Sequence, residues 1–139
     1  MNSQTSIKLL LALLSMVIVF HFCIIAKIIP YNVAWGGRIQ NDTEMYVFET
    51  ISIMINLFLG FILLMKGNYI KFQFRQKTLD VVLRVFLVIF ILNTVGNIFA
   101  KTNFEKFFAV LTLFLAFLIW KVLRKNNNER TTNKISRGI

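Results

Sequence analysis

Glu49, Ser52, Asn56 and Gly60 recur at three- and four-residue spacing, which on a helix gathers them into one stripe, while the residues between them are mostly Ile, Leu, Met and Phe. A second pair, Asn93 and Asn97, stands four residues apart on one face of another apolar run, with Thr94 and Gly96 beside it. His21 is alone in a stretch of Val, Phe and Ile, and Lys27 follows it toward the end of that run. An imidazole and a carboxylate can exchange a proton, so Glu49 and His21 are the candidate acid and base. Amides, hydroxyls, an indole and a guanidinium bind rather than react. The candidate ligand-binding set is therefore Trp35, Arg38, Glu49, Ser52, Asn56, Asn93 and Asn97.

Each candidate also has a structural explanation. Asn56, Asn93 and Asn97 can be hydrogen-bond glue between helices, with Ser52 and Gly60 allowing close backbone approach. His21 can donate to a neighbouring carbonyl, and Glu49 can be a first-turn acid paired with Lys27 or Arg38. Asp80 and Arg84, one turn apart at the opposite end, suit an ion pair with Arg84 reaching toward water.

Four segments of about 20 largely apolar residues must position these groups: residues 7–29, 45–65, 79–100 and 104–123. The predicted fold is all-α, an antiparallel four-helix membrane bundle over residues 1–125. A polar, basic remainder at 126–139 reads as a disordered cytoplasmic tail, dispensable for folding because it has almost nothing apolar to bury. The first run follows Lys8 as a signal peptide would, but it is long and has no Ala-x-Ala site, so a retained helix is expected. Pro30 is expected to end it, Gly36-Gly37 permits a tight turn, and Asn41 with Glu44 predicts a capping box for the second helix. Thr102 and Glu105 predict the same for the fourth. Tyr31 and Trp35 between the first two helices fit either interfacial anchors of a solvated loop or a structured cap over the bundle.

The 139 residues are 57% hydrophobic, with a mean hydropathy of +0.68, which excludes an ordinary soluble domain and leaves no room for a second one. A net charge of +10 does not imply nucleic acid, because the basic residues flank apolar runs rather than striping a soluble helix face. With the N-terminus inside, only Lys27, Arg38, Lys101 and Lys106 of the 16 basic residues fall outside, so both termini are expected in the cytoplasm and the protein in the plasma (inner) membrane. The basic and aromatic connection from Lys66 to Lys77 suits an anionic lipid surface. The single cysteine, Cys23, lies in an apolar run and reads as a small buried hydrophobe. At about 1.5 Å per residue, Glu49 and Asn97 lie roughly one turn below the outer surface and His21, Ser52 and Asn93 about two. A shared polar pocket in the outer half, roofed by Trp35 and Arg38, follows as an expectation; the fourth helix, rich in Phe and Leu, is expected to contribute nothing polar to it.

The Trp35-Gly36-Gly37-Arg38 loop followed by Glu49 resembles the pattern of small uncharacterised bacterial four-helix membrane proteins, over roughly a third of the chain, and that resemblance brings no assigned function. The size is similar to that of small multidrug-resistance transporters, but those carry an acid in the middle of the first helix where this chain has only His21 and Lys27. No phosphate loop, nucleophile elbow or cluster of metal ligands is present in the sequence, so no cofactor and no metal are expected. Three function classes remain. The first is a binding protein that holds a lipid, a small molecule or a partner helix in the outer pocket. The second is a membrane-embedded enzyme acting on a lipid-like substrate through Glu49 and His21, and the third is a small oligomeric transporter. Expected partners are membrane lipids, a lipid-like or small-molecule ligand and a second copy or another membrane protein.

Overall fold

The structure, a computed structural model, describes residues 1–138. Among them are four helices and no strand: α1 Ser3–Ile25, α2 Asp42–Lys66, α3 Gln76–Ile98 and α4 Asn103–Arg137. All four are long and apolar enough to cross a membrane, as a multi-pass helical bundle requires.

The helix starts follow from local side-chain chemistry. Asn41 Oδ1 accepts the Glu44 backbone N–H at 2.9 Å, and the Glu44 carboxylate reaches back to the Gln40 N–H at 3.0 Å, one residue earlier than the usual box. At α4, Thr102 Oγ1 accepts the Glu105 N–H at 3.2 Å and donates to Glu105 Oε2 at 2.7 Å. The end of α1 differs from expectation, because the helix stops at Ile25, well before Pro30. Lys27 takes a left-handed conformation at φ 58°, with its N–H on Ile24 O and the Ile28 N–H on Cys23 O. This closure satisfies the terminal carbonyls and turns the chain, and Pro30 instead opens the short 3₁₀ turn Tyr31–Val33. A second such turn, Trp35–Gly37, follows directly.

The helices form a ring in which each packs on its chain neighbours and α4 closes onto α1. Gln4 Nε2 of α1 donates to Gly67 O at the end of α2, while His21 near the end of α1 meets Glu49 near the start of α2. The end of the bundle where α1 begins is filled by aliphatic side chains from all four helices, among them Leu10, Leu14, Leu63, Leu83, Leu118 and Ile119. Lipid tails are as apolar as leucine, so between spanning helices such a cluster acts through close packing rather than escape from water. Gly60 serves that packing: a Cβ there would sit 3.4 Å from Leu14 Cδ2. At the other end Ile24, Ile39 and Met45 form a smaller cluster that seats the α1–α2 connection on the bundle.

Residues 126–137, expected to be a disordered tail, continue α4 in this structure, and Ile139 lies outside the described residues. Extending an existing helix needs no new nucleus, and polar residues propagate it readily. Local pairs help: Thr131 and Thr132 hydroxyls donate to the carbonyls of Asn127 and Asn128, and Lys125 faces Glu129 at 3.6 Å.

Candidate functional site

Glu49 lies one to two turns into α2 and is fully buried. Its carboxylate is held from two directions: Oε2 is 2.5 Å from His21 Nδ1 and Oε1 accepts the indole N–H of Trp35 at 2.9 Å. With Glu49 ionised, the proton of the first contact sits on Nδ1 and the imidazole donates. Only Nε2 of the ring then has capacity left. The two expected cationic partners are engaged elsewhere or remote: Lys27 Nζ pairs with Asp42 Oδ2, and Arg38 is exposed. The hydrogen bond and charge of Asp42 hold the Lys27 ammonium above its ordinary value of 10.5, so the lysine side of this solvent-exposed pair stays charged through neutral pH and is lost as the pH rises into the strongly alkaline range.

Trp35 reaches Glu49 because its backbone sits at φ 58°, a conformation a bulky residue adopts at a cost of about 1–2 kcal/mol. Gly37, also left-handed at φ 69°, completes the turn that lays the indole over the bundle, where it stacks against Phe48 at 5.1 Å. The loop is thus a structured cap rather than a solvated connector.

Beneath this cap lies a cavity of about 380 Å³, within the range of small-molecule sites. Its polar lining comes from all four helices and the cap: His21, Trp35, Ser52, Asn56, Asn93, Asn97, Glu105 and Thr112. Aromatic and aliphatic side chains, including Phe20, Phe86, Phe90, Phe108 and Leu115, form the remainder. Of the sequence candidates, His21, Trp35, Ser52, Asn56, Asn93 and Asn97 share this one wall. Glu49 stands behind His21 and Trp35 and orients them. Arg38 is outside the lining, so the cap covers the cavity with the Trp35 indole, Val33 and Ala34.

The fourth helix, expected to be purely apolar here, supplies Glu105 and Thr112. Glu105 carries a sequence signal, the capping box, which accounts for its backbone role but not for its facing a cavity. It is buried, with Oε2 engaged by Thr102 and Oε1 without a protein partner among the described residues. Thr112 and Thr94 join α4 to α3 through a buried hydroxyl contact of 2.9 Å.

The amides do not act as interhelical glue. Asn56 Nδ2 bonds back to Ser52 O in its own helix at 2.7 Å, and Ser52 Oγ bonds to Phe48 O. Neither Asn93 nor Asn97 has a side-chain hydrogen bond to any described residue. Asn93 is exposed and Asn97 half-buried, so neither amide is sealed inside the protein; at a depth where a bilayer offers no water, an unpaired amide costs about 1–3 kcal/mol.

The opposite end carries a separate polar cluster. Lys66 Nζ, with its side chain only 4% exposed, donates to Asp80 Oδ1 at 2.6 Å and to Gln76 Oε1 at 3.1 Å, and Arg130 Nη2 reaches Asp80 Oδ2 at 3.0 Å. Asp80 is therefore held by Lys66 and Arg130, and Arg84, its expected partner, is exposed. This cluster ties α2, α3 and α4 together. Among the described residues no group of three or more His, Cys, Asp or Glu side chains is arranged to hold a metal ion.

Comparison with protein-family models, curated proteins and solved structures gave no match, so the chemistry of the site rests on its geometry.

Proposed function

We propose that this chain is a multi-pass membrane protein that binds a lipid-like or small amphipathic ligand in the polar cavity at the capped end of its bundle. The observation that carries this reading is the pair Asn93 and Asn97, which border the cavity with no side-chain hydrogen bond to any described residue. Around them the lining divides into hydrogen-bonding groups and a larger apolar surface, the division that a polar head and an apolar body require. The contacts of α1 with α2 support an antiparallel bundle, and the excess of basic residues at the other end supports both termini in the cytoplasm of a plasma-membrane protein, with the cavity on the outer side. Transport is disfavoured, because among the described residues an aliphatic cluster from all four helices lies between the cavity and the Lys66–Asp80 cluster at the other end.

The test is native mass spectrometry of protein released from gentle detergent. The wild type retains a lipid-sized adduct, whereas Asn93→Leu/Asn97→Leu, near-isosteric and suited to a membrane helix, folds and loses it. Equal retention by both proteins, or no adduct on the wild type, contradicts the reading.

One observation favours a second reading, catalysis on a bound lipid-like substrate. His21 lines the cavity with Nδ1 committed to a buried carboxylate, the arrangement that fixes an imidazole tautomer and leaves Nε2 as a general base. In that case Glu49 is a positioning residue, and Glu105 is the acid that borders the same space.

A further inference from the structure

The ligand-site reading leaves the chemistry of the apolar part and its route of entry open. On the outside of the bundle, between α2 and α3, runs a groove of about 490 Å³ whose walls, including Met54, Phe58, Val81 and Val85, are entirely apolar. Ile55, Phe86 and Ile89 line both this groove and the polar cavity, so the partition between them is a single layer of side chains. Two members of that layer, Ile55 and Ile89, are themselves 47% and 38% exposed. The seam they occupy is also the thinnest in the ring: α3 packs most extensively on α4, α2 on α1, and α2 meets α3 least. No hydrogen bond between side chains of α2 and α3 closes the seam at that level among the described residues; the nearest such tie is the Lys66 cluster at the far end.

We propose that the ligand is an acyl-chain lipid, with its polar head against Asn93, Asn97, Glu105 and His21 and its chain leaving sideways through the α2–α3 seam into the bilayer. This rests on the reading of the cavity as a ligand site and adds the ligand's class and its path. The groove lies on the surface that spanning helices present to hydrocarbon and is parted from the cavity only by Ile55, Phe86 and Ile89. A water-soluble ligand would gain nothing from an apolar slot open to lipid, whereas an acyl chain is already there and needs only to displace Ile55 and Ile89.

The test uses full-length protein in vesicles of phosphatidylethanolamine and phosphatidylglycerol doped with the same lipids carrying a diazirine on one acyl chain. After illumination, labelled residues are mapped by peptide mass spectrometry. Lipid outside the bundle labels Met54 and Val85 in any case. The informative positions are Phe90 and Leu115, which are 8% and 2% exposed and border the cavity. Labelling at these two, falling to background in Ile55→Trp/Ile89→Trp, is the expected result. Labelling confined to outward residues overturns the proposal, as does labelling at Phe90 and Leu115 that persists in the sealed variant. Chemical crosslinks between two chains through Met54 and Val85 without inward labelling would assign the seam to a second copy, which also overturns it. The wild-type map needs no variant and so stands even if the sealed protein folds poorly. If inward labelling is absent while the wild type still retains its adduct, only the lateral route fails; if both are absent, the ligand-site reading fails with it.

Discussion

Replacing Glu49 by Gln changes little in shape and removes the charge that gathers the cap and the first helix. Hydrogen bonds to a charged group contribute about 1.5–3 kcal/mol each and neutral ones about 0.5–1.5 kcal/mol. Glu49 takes two such bonds, from His21 Nδ1 and Trp35 Nε1, while fully buried. Glu49→Gln keeps an acceptor for one donor and confronts the other with an NH₂ group, so the loss is about 2–3 kcal/mol. Glu49→Ala strands both donors beside a void and costs about 3–5 kcal/mol. At about 4 °C per kcal/mol for a chain of this size, the midpoints fall by about 8–12 °C and about 12–20 °C. Thermal unfolding in detergent, followed by circular dichroism, reads both. His21 is the only histidine in the chain, so ¹⁵N-histidine spectra report one ring without assignment. The wild type should show a strongly hydrogen-bonded Nδ1 proton that Glu49→Gln abolishes. Shifts under about 1 kcal/mol in both variants, with the Nδ1 signal unchanged, would refute the reasoning and return Glu49 to the role of a helix-start acid.

Removing the indole N–H together with part of the ring, by Trp35→Phe, should cost about 1–3 kcal/mol, because the left-handed backbone is then no longer repaid by a bond to the carboxylate; chemical denaturation measures it. At the other end, Asp80→Ala leaves Lys66 buried without its acid and should cost about 3–5 kcal/mol, and Lys66→Met together with Asp80→Leu should recover most of it, a double-mutant cycle being the check. Thr94→Val with Thr112→Val removes a buried hydroxyl contact whose members also bond to their own helices, so a loss of about 0.5–1 kcal/mol is expected in the same melts. Lys27→Ala breaks an exposed pair and should leave the melting midpoint unchanged within error at neutral pH and moderate salt.

Four spanning lengths and both N-caps were legible because each depends on neighbours within a few residues, as Asn41 with Glu44 and Thr102 with Glu105 show, although neither Glu closes the box on the N-cap N–H itself. Helical spacing likewise put Ser52 with Asn56 and Asn93 with Asn97 on common faces, and depth counting brought His21 to their level. Pairing across helices was not legible. Depth puts Glu49 near His21, Lys27 and Arg38 alike, and the choice falls to His21 because Lys27 leaves the helix through its left-handed turn and meets Asp42. Glu105 was hidden behind its own cap role, since a residue that satisfies a backbone N–H locally gives no sign of bordering a cavity. The helical course of residues 126–137 was missed for a related reason. Low hydrophobicity says that a segment cannot build a core, not that it cannot prolong a helix already nucleated by its neighbour.

The most direct measurement is a high-resolution electron cryomicroscopy map of the protein in a lipid nanodisc, with a bound antibody fragment to supply mass. The account predicts elongated density in the cavity, its head within hydrogen-bond distance of Asn93 and Asn97 and its tail passing Ile55 and Ile89. A collapsed cavity in which Asn93 and Asn97 bond to other helices would contradict it.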